Sequence, residues 1–265
     1  MTAFTRSIVS VPQLVAELLI VAGVVACSVA IHAFIQRRLR SEVLRRNNDV
    51  AGYLFSAVGI LYAVVLGFVV VVVWQKYDAT VSNVENEVNS VADLYHAVDG
   101  FTDPTRSEIR SELRRYVELV IRVEWPTMAR GQQVSQAGAD LIDDAFYRVN
   151  NFPSSNWRQF AAQQGAMRMA ERLVDARRSR LIETVPAVPS VLWFALIAGA
   201  LAMIAFCYIF GVENRPAQLV MTAILVGLIG MLFIVINAFS TPFSGSVRIS
   251  PDGWLYLQQR LPHIQ

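Results

Sequence analysis

The stretch YLFSAVGILYAVVLGFVVVVVW, residues 53–74, indicates the fold class of this chain of 265 residues. It contains no Asp, Glu, Lys or Arg, and it is longer than the ~20 residues that a helix needs to cross the ~30 Å hydrocarbon layer of a bilayer. A backbone surrounded by lipid must satisfy its own hydrogen bonds. We therefore expect a transmembrane helix here.

Three further segments are long and apolar enough to cross a membrane. Residues 187–212 and 217–240 also lack acidic and basic side chains. Residues 13–35 are apolar except for Glu17 and His32, which we place near the ends of that span, where interfacial water reaches them. The sequence therefore predicts four spans, with a tail at residues 241–265.

A polar insert, residues 75–186, separates the second and third spans. Its first apolar residues are spaced alternately by three and four: Val81, Val84, Val88, Val91, Tyr95 and Val98. This heptad pattern predicts that the second span continues as one helix until Gly100. The stripe is typical either of packing within the insert or of self-association about an axis.

The rest of the insert also has helical signals. Pro104 suits the first turn of a helix that Thr102 or Asp103 could cap, and Pro126 should end or kink that helix. We expect further helices over about residues 139–150 and 157–184. Strand signals are absent from the insert, so the predicted fold class is all-α, with four spans and an inserted helical domain.

Composition excludes several classes of function. The chain is 54% hydrophobic and 17% charged with a net charge of +2, whereas soluble proteins average roughly 25% charged residues. No phosphate-binding loop, zinc-protease motif or nucleophile elbow is present, so we expect no enzyme. No basic stripe suggests nucleic acid. Cys27 and Cys207 lie in apolar runs, so we predict no disulfide, metal or cofactor.

Two sets of residues in the second span recur every four positions. The first is small and suits close helix packing in lipid: Gly59, Ala63 and Gly67. The second, rotated by about 100°, is apolar: Ile60, Val64 and Phe68. Both faces could simply pack against neighbouring spans or lipid. Alternatively, the small face packs subunit to subunit while the apolar face lines a pore that gates by dewetting.

The second span resembles that of bestrophins. Val65-Leu66-Gly67-Phe68, a valine run and Trp74-Gln75-Lys76-Tyr77 carry the resemblance. Bestrophins are pentameric ion channels, mostly anion-selective, with four spans and a cytosolic helical insert. Three apolar side chains line their neck. By this resemblance the neck positions here are Ile60, Val64 and Phe68.

A closer resemblance, over most of the chain, is to the bestrophin-like family of bacterial membrane proteins. The matching positions are Glu87, Tyr116, Glu124, Trp125, Pro126, Thr241-Pro242-Phe243-Ser244-Gly245 and Ser250-Pro251. Physically, the Pro-Phe-Ser-Gly segment predicts a turn that ends the fourth span and folds the tail back, which would place Trp254 and Tyr256 at the membrane interface.

The sequence departs from true bestrophins at several points. Leu61 stands where they carry a proline, and Val64 replaces an aromatic residue, which predicts a wider or more flexible neck. The acidic run of their calcium clasp has no counterpart after the fourth span, so we do not predict calcium gating. Ion selectivity does not transfer from the family.

Together with the resemblance, which implies a pentamer, these observations predict a homo-oligomeric ion channel in a bacterial inner (plasma) membrane. Its partners would be the lipid bilayer and small inorganic ions. One alternative is a non-conducting scaffold or signalling protein whose helical domain binds a partner. Another is a proton-driven motor, for which Glu17 and His32 are the only titratable candidates in the spans. We expect Asn237 to be the main buried polar side chain and to bond between helices.

The side of the membrane that the insert faces is left open by two conflicting signals. The arginine-rich loop at residues 36–52 favours an outside domain by the positive-inside rule, whereas the resemblance implies a cytosolic one. We expect the cytosolic side.

Overall fold

The structure, a computed structural model, describes residues 7–38, 48–211 and 214–261. The main elements of these ranges are, in order, β1 (Ser7–Val9), α1 (Val11–Arg38), α2 (Asn48–Ala97), α3 (Thr105–Leu119), α4 (Trp125–Ala129), α5 (Ala137–Asn150), α6 (Trp157–Ile182), α7 (Ser190–Ile209), α8 (Arg215–Ser240), β2 (Val247–Ile249) and α9 (Asp252–Arg260). Helices α1, α2, α7 and α8 are long and apolar enough to cross a membrane. The four predicted spans and the all-α class are thus confirmed.

The described chain divides into two compact units. The membrane unit comprises residues 10–76 and 186–240, and the helical unit comprises residues 77–185 with the described parts of residues 1–9 and 241–265. The division falls within α2, which is continuous over 50 residues. A 3₁₀ turn follows it and ends at Gly100, where the heptad spacing predicts that the helix stops.

The membrane unit has an apolar core between α2, α7 and α8. Leu66, Val69 and Val73 of α2 are buried there against Leu196 and Ile236. Their spacing of three and four residues puts them on one side of the helix.

A close approach between helices supports this core. Tyr62 of α2 donates a 3.0 Å hydrogen bond to the Leu196 carbonyl of α7. A Cβ added to Gly199 would lie only 2.5 Å from Cδ2 of the Tyr62 ring, which is too close. Only glycine therefore allows α2 and α7 to pack this closely.

Polar side chains join α1 to α7 and α8 inside the membrane unit. Three hydrogen-bonded pairs lie along α1: Ser28 with Tyr208 at 2.7 Å, His32 with Thr222 at 2.8 Å and Gln36 with Gln218 at 2.7 Å. The expectation that interfacial water reaches His32 is wrong, because α1 continues beyond it to Arg38 and the imidazole is fully buried.

Asn237 also differs from expectation. It is exposed on the surface of this chain rather than buried, although it does bond between helices, to Glu17 of α1. The buried polar side chains of α8 are instead Gln218, Thr222 and Ser240.

The helical unit is built from the second half of α2 and helices α3 to α6. Pro104 takes the N-cap position of α3 without a side-chain cap. At the other end, Pro126 does not stop the helix: a π-helical turn, Val120–Glu124, leads directly into α4. Proline lacks an N–H donor, and widening one turn accommodates that loss. Helix α6 begins at Trp157, as predicted, with Asn156 Oδ1 accepting from the Gln159 N–H.

The tail belongs to the helical unit. Strand β2 pairs antiparallel with β1, with Ser7 opposite Ile249 and Val9 opposite Val247. Trp254 of α9 is fully buried, with its ring centroid 5.9 Å from that of Tyr116. The expectation that Trp254 lies at the membrane interface is therefore wrong, because α9 packs against α3.

Candidate functional site: the apolar face of α2 and a buried charge cluster

The membrane half of α2 has one packed side and one unpacked side. Leu66, Val69 and Val73 point into the core of the membrane unit. At 3.6 residues per turn, Ile60, Val64 and Phe68 lie on the opposite side. They are 65%, 50% and 69% exposed. These large apolar side chains are therefore not used to hold this chain together.

The small residues of α2 do not form one continuous packing face within the chain. A Cβ on Gly59 would lie 3.2 Å from Met203 Cε, so Gly59 accommodates a side chain of α7. No described residue lies within 4 Å of that position at Gly67, and Ala63 is exposed. Within the described residues, the face is therefore open to a neighbour at Ala63 and Gly67.

Five buried side chains from three parts of the chain meet inside the helical unit. They are contributed by α2, by α3 with its π-helical turn, and by α6: Glu87, Tyr116, Glu124, Arg177 and Arg180. Glu87, Tyr116, Glu124 and Arg180 are fully buried, and Arg177 is nearly so. We call this group the charge cluster.

Each carboxylate in the charge cluster is held by arginine. Arg180 Nε donates to Glu87 Oε2 at 2.5 Å, and Arg180 Nη2 donates to Glu124 Oε2 at 2.7 Å. Arg177 Nη1 donates to both oxygens of Glu124, at 2.7 and 2.8 Å. The Tyr116 hydroxyl donates to Glu87 Oε1. The two negative carboxylates and the two positive guanidinium groups give the cluster a net charge of about zero. This balance matters because an unpaired buried charge is very costly.

The environment of the charge cluster fixes its protonation. Burial raises the pKa of Tyr116, and the Glu87 carboxylate raises it further, so the phenol stays neutral and acts as a donor. Burial lowers the pKa of Arg180, but Glu87, Tyr116 and Glu124 together outweigh this effect, so the net pKa lies well above the ordinary value. The pKa of Arg177 is raised in the same way by Tyr116 and Glu124 against the effect of burial. The tyrosine of the cluster thus stays a neutral donor, and both of its arginines stay charged.

The remaining motif residues lie in the same unit. The Trp125 ring is 5.5 Å from that of Phe243, and its Nε1 donates to the Ile249 carbonyl at 3.4 Å. The Pro242 carbonyl accepts from the Ile249 N–H at 2.9 Å. Gly245 is buried and its N–H donates to the Thr241 carbonyl. These contacts hold the tail against the start of α4.

Two of the motif residues stand apart from these contacts. Pro126 is exposed, and Pro251 is half-buried with its carbonyl accepting from the Leu255 N–H at the start of α9. Both act through the backbone: Pro126 follows the widened turn and Pro251 begins a helix.

Sequence reasoning missed Arg177 and Arg180. A signal was present, because they continue the stripe of Ala166, Ala170 and Leu173 at spacings of four and three, and that stripe is the buried face of α6. Charged residues at core positions of a helix predict buried ion pairs. Among the described residues, no group of His, Cys, Asp or Glu could hold a metal ion.

Comparison with known proteins identifies the fold as that of bestrophins. A crystal structure of a bacterial bestrophin homolog from Klebsiella pneumoniae carrying one mutation matches with a TM-score of 0.65 at 11% identity, covering 90% of this chain and 99% of that one. A second, obtained by zinc phasing, gives 0.59 at 11% identity, covering 90% and 97%. No curated protein matches the chain.

The chain is thus a multi-pass membrane protein of bestrophin fold. A family model for the bestrophin-like domain matches residues 22–254. The chain belongs to the bestrophin-like family.

Proposed function

We propose that this protein is a homo-oligomeric ion channel whose axis is lined by α2. The observation that carries the proposal is the exposed apolar side of that helix. Ile60, Val64 and Phe68 lie opposite the packed core and are at least half exposed. Facing a common axis, they form an apolar neck, and a narrow apolar ring gates ions by dewetting.

Conduction by one copy is unfavourable. An ion in hydrocarbon is very costly, and the core of the membrane unit is apolar, with Leu66, Val69 and Leu196 at its centre. Polar pairs such as His32 with Thr222 bond directly to each other between helices. A water-filled path therefore requires several copies around an axis. The fold match supports a pentamer, the arrangement of bestrophins.

The open positions on α2 suit contact between subunits. Ala63 and Gly67 lie about 100° around the helix from Val64 and Phe68. Small residues let helices approach closely in lipid. In the proposed channel they meet the neighbouring subunit while the larger apolar side chains face the axis.

Bilayer recording with a matched pair of variants tests the proposal. Purified protein is placed in a planar bilayer under a salt gradient, as wild type, Phe68→Ala and Phe194→Ala. Phe194 lies on α7 and is 75% exposed, so it controls for loss of an apolar ring at the protein surface. We expect altered conductance or gating for Phe68→Ala alone. Equal currents in all three proteins remove α2 from the pore.

If a folded oligomer carries no current in the bilayer, the scaffold alternative is favoured. One observation supports that alternative: α6 begins with two exposed aromatic residues on the helical unit, Trp157 and Phe160, at 75% and 57%. Large exposed apolar groups can mark partner sites. Loss of a co-purifying protein from Trp157→Ala/Phe160→Ala, together with no current from the wild type, would establish this function instead.

In the proposed channel, the protein lies in the inner membrane and its helical unit faces the cytosol. Ser135 is exposed between α4 and α5 and offers a labelling site. Ser135→Cys in a Cys27→Ser/Cys207→Ser background, treated with an impermeant thiol reagent, should react only after lysis. Labelling of intact spheroplasts would put the helical unit outside.

A further inference from the structure

A cavity of about 370 Å³ opens between α1, α7 and α8 within the membrane unit. Its wall is almost entirely apolar and includes Val24, Ile197 and Phe233. Two polar residues, Glu17 and Asn237, lie in its lining. Apolar clefts of roughly 300–1,000 Å³ with a few polar groups, placed between helices of a bundle, are typical ligand sites. We call this cavity the α1–α7–α8 groove.

The Glu17 carboxylate has one oxygen that could accept a hydrogen bond from a ligand. Its Oε1 accepts a 2.8 Å hydrogen bond from Asn237 Nδ2. Its Oε2 is shielded and has no hydrogen-bond partner among the described residues. An ionisable side chain in a span is costly and marks a functional site unless a partner compensates it. Glu17 lies on α1 and is not part of the α2 face that we propose to line the pore.

The groove has its polar end at one edge of the bilayer. Glu17 lies in the second turn of α1, Trp193 in the first turn of α7 and Asn237 in the last turn of α8. Chain direction alternates between spans, so these three helix ends share one membrane side. From Trp193 the lining continues along α7 to Ile204, which is about 16 Å at 1.5 Å per residue. This is roughly half of the ~30 Å hydrocarbon thickness.

We propose that the α1–α7–α8 groove binds a bilayer lipid with a primary ammonium headgroup. One acyl chain fills the apolar groove, which spans one leaflet, and the ammonium group donates to the Glu17 carboxylate at its edge. The positive charge compensates the shielded carboxylate oxygen, which has no hydrogen-bond partner among the described residues. Asn237 orients the carboxylate through its hydrogen bond.

Lipid retention tests this site. Protein stripped of lipid in detergent is incubated with equimolar phosphatidylethanolamine and phosphatidylglycerol of identical acyl chains, and native mass spectrometry counts the lipid that remains bound. A charge-assisted hydrogen bond predicts about tenfold more phosphatidylethanolamine on the wild type. Glu17→Gln, which keeps the shape of the side chain, should retain the two lipids equally.

Filling the groove provides a second, independent variant. Ile197 and Leu201 line it and are 47% and 61% exposed, so Ile197→Trp and Leu201→Trp are compatible with the fold and should lose the bound lipid. Leu228→Trp, on α8 but outside the lining, is equally exposed and should behave as wild type.

Three results would overturn the proposal. They are equal retention of both lipids by the wild type, an unchanged preference in Glu17→Gln, and lipid that stays bound in both groove-filling variants. If the wild type binds no lipid and the Ile197→Trp substitution makes the oligomer dissociate, a second copy of the chain covers the groove instead.

Discussion

Arg180 Nε donates a 2.5 Å hydrogen bond to Glu87 Oε2, and neither side chain is accessible to solvent. The pair joins the last quarter of the long helix α2 to the end of α6. Since α2 enters the helical unit directly from the membrane span, this contact anchors the extramembrane part of the helix that we propose to line the pore.

Glu87→Gln should strongly destabilise the protein. The substitution leaves an excess positive charge in a buried site, and breaking a buried ion pair costs about 3–5 kcal/mol. Thermal or denaturant unfolding of the purified protein in detergent measures the loss. Glu118→Gln is the matched control, because Glu118 pairs with Arg122 on the exposed surface of α3 and its π-helical turn, where such pairs contribute about 0–1 kcal/mol.

The double variant Glu87→Met/Arg180→Met separates charge from packing. It restores neutrality with apolar side chains of similar volume, so it should be more stable than Arg180→Met alone. A double variant at least as unstable as the single one would show that geometry, rather than charge balance, makes the cluster necessary.

Gly138→Ala should disturb the same cluster from a different helix. A Cβ at Gly138 of α5 would lie 2.4 Å from Glu124 Oε1 and 2.6 Å from Arg177 Nη1. Both side chains are fixed by their ion pair, so we expect a loss of about 1–3 kcal/mol. Gly165→Ala is the control, because Gly165 has nothing within 4 Å of that position. In the middle of α6 that change should gain about 0.5–1 kcal/mol. Similar effects at the two glycines would contradict the steric argument.

The spans could be predicted from sequence because length and apolar composition suffice for a helix in lipid. The charge cluster could not, because its partners come from three segments separated along the chain. Four residues of the heptad stripe, Val84, Val91, Tyr95 and Val98, are buried as a packed face requires, whereas Val88 is only partly buried. The stripe gave no sign that Glu87, next to Val88, is fully buried, because that burial depends on the arginines of α6.

The position of the tail was also beyond sequence reasoning. Trp254 is an aromatic residue that follows a span, and such residues commonly lie at the membrane interface. Its burial follows from the packing of α9 against α3, where its ring lies 5.9 Å from that of Tyr116. That contact joins segments far apart in the chain, and the pairing of β1 with β2 in the same tail spans only three residues, so neither could be predicted. For His32 the error arose at the helix end, because α1 continues into Arg37 and Arg38.

The stability of the helical unit should depend on pH through Glu112. Burial raises the pKa of the Glu112 carboxyl above its ordinary value, and Asp144 and Glu108 add to the rise, whereas Arg148 opposes it. The folded state then holds this proton more tightly than the unfolded chain, so stability falls as the pH rises from below 4.5 through the folded pKa.

Glu112→Gln removes this titration. The difference in unfolding temperature, wild type minus variant, should be more positive at pH 4 than at pH 7.5. Unfolding curves of both proteins at the two pH values provide the measurement. A difference that is constant, or more positive at pH 7.5, would contradict the assignment.

Thr222→Val should weaken the contact between α1 and α8. His32 is fully buried in the membrane unit, and its Nδ1 lies 2.8 Å from Thr222 Oγ1. Valine has the same shape as threonine but leaves the imidazole nitrogen without this partner. Side-chain hydrogen bonds between membrane helices average about 0.6 kcal/mol and reach about 1.7 kcal/mol, and we expect a value in the upper part of that range because the imidazole is inaccessible to water. Unfolding in detergent measures the loss. Ser56→Ala is the control, since Ser56 is exposed and donates only within α2, to the Gly52 carbonyl. Equal losses from the two substitutions would mean that the His32–Thr222 contact does not hold the helices together.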